Sequence, residues 1–197
     1  IQDQSDKLAG EGYAAVAPDL FHRITDPALT DPYERGATLS DPEVIADCNA
    51  TMDFLLGHSA VDNDRIGIVG FCMGGRVAWL AAATNPNYKA TVPYYGGSIM
   101  VTRGAGVQIP LELADNINCP MLFHFGEIDA NPSQDDMAKL DAELTRLGKP
   151  HQFFSYPEAD HGFADHTGAR YNREGAEIAW PRTLQFFAYP LKGAPVV

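Results

Sequence analysis

The run Ile66-Gly67-Ile68-Val69 passes directly into Gly70-Phe71-Cys72-Met73-Gly74-Gly75 and then into Arg76-Val77-Ala78-Trp79-Leu80. A short apolar run with strand character gives way, without a linker, to a helical pattern, so the chain must turn sharply from strand to helix at Cys72. A turn of this kind forces the apex side chain outward at the carboxyl edge of a sheet. It also strains the backbone and leaves no room for a Cβ two residues before or after the apex, which the sequence meets with Gly70 and Gly74.

The rest of the chain repeats the same alternation. Strands are expected at 13–17, 66–69, 90–95, 121–125 and 152–156, with helical patterns between them, which is the signature of a parallel sheet with crossover helices. Ser40-Asp41-Pro42-Glu43 supplies a cap, an early proline and a capping-box acid for a helix whose apolar face is Val44, Ile45, Cys48, Met52, Leu55 and Leu56. A further helix runs from Ser133 to a stop at Gly148, and the last begins near Pro181. Before Ser40, a region with Asp-Pro pairs at 26–27 and 31–32 reads as a long functional loop. The expected class is an α/β fold with a mostly parallel central sheet and helices on both faces, as one domain over residues 1–197.

Composition narrows the function. Twenty-six acidic residues against 14 basic ones give a net charge of −12, which repels phosphate backbones and anionic lipid, so neither nucleic acid nor a membrane is an expected partner. No apolar stretch is long enough to span a bilayer. Three cysteines, an odd number, do not build a disulfide framework and point to a reducing compartment, so a cytoplasmic monomer is expected.

A cysteine at the apex of such a turn is a candidate nucleophile, and a thiol needs a base, because an ordinary cysteine is only a few per cent thiolate at neutral pH. Among six histidines, His124 lies within an apolar strand and reads as core, and His22, His58, His151 and His166 carry no particular signal. His161 follows the last strand at the same sheet edge as Cys72. The third member should be an acid that fixes the imidazole tautomer, and either Glu127 or Asp129, just beyond the strand 121–125, fits.

At this point the sequence resembles a known family. Tyr13-Ala14-Ala15-Val16-Ala17-Pro18-Asp19-Leu20, Gly70-Phe71-Cys72-Met73-Gly74-Gly75, Tyr94-Tyr95-Gly96, Leu122-Phe123-His124-Phe125-Gly126 with Asp129, and His161-Gly162-Phe163 are similar to the dienelactone hydrolase family of α/β-hydrolases. The resemblance implies a triad of Cys72, Asp129 and His161, an oxyanion donor at the Met73 N–H, no cofactor or metal, and a small-molecule ester or lactone as substrate. It also suggests Arg35 as a carboxylate-binding residue. Phe71, Tyr94, Tyr95 and Phe163 are expected to line an apolar pocket. The other reading of a reactive thiol is a non-enzymatic protein in which Cys72 senses oxidants or binds a ligand covalently.

Two departures from the family shape the expectations. Members acting on dienelactone carry an arginine four residues after the histidine, where this chain has Asp165, so an anionic substrate is disfavoured. The opening strands of the family also have no counterpart, which implies a piece of some 40 to 50 residues upstream. That piece would bring a second oxyanion donor and a glutamate that contacts the resting thiol. Without it, the strands at 13–17 and 66–69 should flank an empty slot.

Overall fold

The computed structural model describes residues 1–193, so the last four positions of the expected domain lie outside the described residues. Four parallel strands, β1 (Gly67–Phe71), β2 (Ala90–Tyr94), β3 (Met121–Gly126) and β4 (His151–Tyr156), pair in sequence order. Helices α1 (Gln2–Gly10), α2 (Pro32–Ala37) and α3 (Asp41–Leu56) precede β1. Then α4 (Met73–Thr84) joins β1 to β2, a 3-10 turn at Pro110–Asn116 precedes β3, α5 (Gln134–Arg146) joins β3 to β4, and α6 (Arg173–Lys192) closes the described chain.

The side-chain alternation of the strands divides the core in two. Met121, Phe123 and Phe125 of β3 pack with Val44, Met52, Trp79, Met137 and Leu140 from α3, α4 and α5. Leu122 points the other way and packs with Val92, Tyr94, Tyr156, Ala179 and Phe187, the last two from α6. Both faces of the central strands are thus covered, the arrangement that a parallel sheet requires. No helix among the described residues is long and apolar enough to cross a membrane.

Several local expectations are corrected. Residues 13–17 form no strand: among the described residues no strand pairs with them, and an extended segment without ladder partners has no sheet to belong to. Together with β1 they wall a groove of about 960 Å³, into which Leu20, Phe21, Val69, Val77 and Phe187 also project. The groove beside β1 is bounded on its far side by irregular chain, so it is not flanked by two strands. In the register of β1 with β2, Ile68, Gly70 and Cys72 turn their backbone groups to β2, with the Cys72 N–H donating to the Tyr94 carbonyl at 3.0 Å. Strand geometry then points the N–H groups of Gly67, Val69 and Phe71 into the groove.

The Asp-Pro region is not all loop, since Asp31 caps α2 through the N–H groups of Tyr33 and Glu34. The Ser40 capping box does not form. The Ser40 hydroxyl instead accepts from Ala105 N–H at 3.1 Å, and Asp41 turns inward to Arg76. The last helix starts at Arg173 rather than near Pro181, because Asn172 accepts from Gly175 N–H and opens it two turns earlier, with Pro181 inside.

Candidate active site

The strand-to-helix turn is built as its residue types require. Cys72 adopts φ 56°, ψ −120°, a conformation that non-glycine residues rarely take, and it is held there by β1 on one side and by the first turn of α4 on the other. A Cβ on Gly70 would fall 1.8 Å from the carbonyl oxygen of Gly74. The second tight position is not Gly74, around which an added Cβ meets nothing within 4 Å, but Gly75, where it would lie 2.7 Å from the Tyr94 carbonyl oxygen. The elbow is thus packed against the end of β2 one residue later than the motif suggests.

The structure brings Cys72, His161 and Asp129 together. His161 Nε2 lies 2.9 Å from Cys72 Sγ, and Nδ1 lies 3.0 Å from Asp129 Oδ2. Asp129 is 5% exposed, and its other oxygen accepts the Asn131 N–H at 2.8 Å, which fixes the carboxylate plane. Glu127 instead accepts the Glu158 N–H, and Asp160 accepts the backbone N–H of His161 itself. Of the acids near this edge, Asp129 is therefore the one that meets the imidazole. His124 is fully buried between Tyr156 and Thr183, and burial pushes its pKa down to about 3, so it stays neutral. His22, His151 and His166 pair with Asp47, Asp141 and Asp3 away from the cysteine.

Cys72 and His161 shift each other. Burial alone would raise the thiol's pKa, but the hydrogen bond and charge of His161, the Met73 N–H and the charge of Arg103 together lower it. Burial alone would lower the His161 pKa, yet hydrogen bonds to Asp129 and Cys72 lift it to about 10. Both shifts favour a thiolate–imidazolium pair. Cys48 and Cys119 behave oppositely, since burial pushes them up to about 12 and about 11.

Met73 opens α4, and its backbone N–H helps to lower the Cys72 pKa. Arg35 lies over the Phe21 ring at 4.7 Å, and its buried Nε has no hydrogen-bond partner; no hydrogen bond joins it to Cys72 or His161. Phe71 is partly exposed and packs on Tyr94, with ring centroids 4.6 Å apart. Tyr94, Tyr95 and Phe163, expected as pocket lining, are 1%, 3% and 0% exposed. Tyr94 and Phe71 still border a cavity of about 310 Å³, whereas Tyr95 and Phe163 are packed in the core behind the site.

Sequence reasoning missed Arg103. Its backbone N–H donates to Asp41 Oδ2 at 2.8 Å, its carbonyl accepts the Asp41 N–H at 3.0 Å, and its guanidinium reaches the Gly36 carbonyl at 3.4 Å. Among the described residues it has no ion pair of its own, and its charge acts on Cys72. No local motif marks it, because its position depends on Asp41, 62 residues earlier. Asp165, expected to make the rim acidic, accepts from the backbone N–H and the hydroxyl of Thr167, which hold its pKa down and keep it charged.

Comparison with known proteins gives a consistent result. A family model described as "Dienelactone hydrolase family" matches residues 1–191. A Synechocystis sp. protein assigned as a carboxymethylenebutenolidase is 32% identical over 98% of this chain and 81% of its own length. A Bradyrhizobium sp. protein assigned as a 2-oxo-3-(5-oxofuran-2-ylidene)propanoate lactonase is 31% identical over 100% of this chain and 81% of its own. Among solved structures, one from Klebsiella pneumoniae assigned as a dienelactone hydrolase superposes with a TM-score of 0.87 at 34% identity, covering 95% of this chain and 80% of that one.

Proposed function

The chain belongs to the dienelactone hydrolase family, whose members hydrolyse esters and lactones, and on that premise we propose that it cleaves activated esters and lactones through a thioester on Cys72. The observation that carries the reading is the unbroken contact from Asp129 through His161 to the cysteine sulfur.

The thiolate attacks the ester carbonyl while the Met73 N–H, at the start of α4, faces the developing oxyanion. The leaving oxygen takes the proton from His161 Nε2, and the acyl group remains on sulfur. Acylation then changes the base. A thioester sulfur carries no charge, so the hydrogen bond and charge of the Cys72 thiolate no longer raise the His161 pKa, while burial continues to lower it and Asp129 to raise it. The neutral imidazole, held by Asp129, takes a proton from water as the water attacks the thioester. The thiolate departs and the imidazolium is restored.

A thiolate leaves a tetrahedral intermediate more readily than an alkoxide does, so only esters with good leaving groups, such as enol lactones and aryl esters, go forward. Arg103, which has no ion pair among the described residues, offers a partner to a substrate carboxylate, set against the disfavouring charge of Asp165, and the two relatives' names both describe carboxylate-bearing lactones. The test is turnover of an aryl ester bearing a carboxylate by the wild type and by Cys72→Ala. Many products per protein, abolished in the variant, support the hydrolase. One product or fewer per Cys72 would leave a thiol that binds or senses.

A further inference from the structure

We propose that Tyr95 is a positioning residue for the base, its ring holding the His161 imidazole in line between Asp129 and Cys72. Successive residues of a strand direct their side chains to opposite faces. Tyr94 ends β2, so Tyr95 should point away from it. Tyr95 instead takes φ 38°, in the left-handed region, and its ring ends up on the same side as Tyr94, with centroids 6.1 Å apart and both rings beside Phe163. The Tyr95 N–H is bonded to the His124 carbonyl at 2.7 Å, so β3 fixes the turned residue.

The outcome of that turn is an edge-on contact with His161, ring centroids 5.3 Å apart at 63°. His161 itself stands on the irregular connection between β4 and α6, where no ladder or helix holds it. Its imidazole is kept in place by Asp129, by Cys72 and by this ring. Once an acyl group is on the sulfur, the contact to Cys72 is gone, and Asp129 and Tyr95 are left to keep the imidazole aimed at the attacking water. Tyr95 therefore acts on deacylation more than on acylation.

The inference rests on the thioester reading, and the experiment separates the two. Wild type, Tyr95→Phe and Tyr95→Leu are compared on one aryl ester, with intact-mass measurement of the protein during turnover. Tyr95→Leu is expected to lose about tenfold in kcat with a parallel fall in KM, while acyl-protein accumulates. Tyr95→Phe, which keeps the ring, restores most of kcat. A merely structural residue would lower the active fraction at unchanged KM with no acyl-protein. That pattern, or wild-type kcat in a folded Tyr95→Leu, overturns the proposal. Tyr95→Met, of similar volume, serves the same test if the leucine variant does not fold. A wild type that turns over no ester would instead overturn the thioester reading.

Discussion

His161 Nε2 stands 2.9 Å from Cys72 Sγ, and each of the two lies on the other's charged form: the thiol's pKa is lowered and the imidazole's is raised to about 10. The thiolate is lost only as pH falls through its lowered pKa, and the imidazolium only as pH rises through about 10. Both directions favour the ion pair between those limits, and we propose it as the resting state.

Alkylation reads this directly. An ordinary thiol with a pKa near 8.5 reacts about two-hundredfold more slowly at pH 6 than at pH 9, following its thiolate fraction. Iodoacetamide should modify Cys72 at pH 6 within a few-fold of its rate at pH 9, while Cys48 and Cys119 stay unmodified at both. Peptide mapping checks it, and a Cys72 rate that tracks an ordinary thiol contradicts the ion pair.

Removing the imidazole should return Cys72 to ordinary behaviour. His161→Gln is expected to restore the steep pH dependence of alkylation and to lower ester hydrolysis by at least 10²-fold, the usual scale for a lost acid–base group. Asp129→Asn should lower hydrolysis on the same scale while leaving the protein folded. Steady-state rates and thermal melts of both variants decide it.

Leaving-group dependence follows from the sulfur. With the same acid, a phenyl ester should exceed an ethyl ester by orders of magnitude in kcat/KM, and the amide should be inert. Equal rates on the two esters would mean that thiolate expulsion does not limit the reaction.

The elbow glycines should separate in stability. Gly74→Ala places its Cβ in open space inside a helix and is expected to leave stability unchanged or raise it by up to about 1 kcal/mol. Gly70→Ala drives a Cβ into the Gly74 backbone and should abolish both folding and activity. A destabilised Gly74→Ala in thermal melts would mean that the turn is tighter than described.

Hydrogen exchange along β1 should alternate. The amides of Ile68, Gly70 and Cys72 are laddered to β2 and should be protected, while Val69 and Phe71 face the groove and should exchange faster. Uniform protection across β1 would show that its outer edge is paired in solution.

The sequence was most legible where period and composition act locally. The β1-elbow-α4 unit, the three strands after it, and α5 with its Ser133 cap are read from alternation, glycines and capping residues that lie side by side in the chain. What failed depended on distant partners. Residues 13–17 have strand composition but nothing to pair with. Ser40 has a capping sequence, yet a better donor arrives from Ala105. Tyr95 and Phe163 look like pocket residues until the two layers over the sheet are placed. In the site, Cys72 and His161 stood out by position on one sheet edge, whereas Glu127 and Asp129 were alternatives that local sequence alone left open. Arg103 was invisible, being aimed by a residue 62 positions away.

The charge pair under the elbow carries an evolutionary consequence. Arg76, 2% exposed, bonds both oxygens of Asp41 and the carbonyls of Ser98 and Val101, so its side-chain hydrogen bonds are made inside the protein. Replacing either member alone strands the other charge in the interior at a cost of about 3–5 kcal/mol, a large share of the 5–15 kcal/mol that holds a typical domain together. A lineage can therefore drift at neither position singly. Asp41 also anchors the Arg103 backbone, so a double exchange that removes the pair removes the mooring of the cation beside Cys72. A substitution at either of the two positions, 35 residues apart in the chain, therefore calls for a matching one at the other.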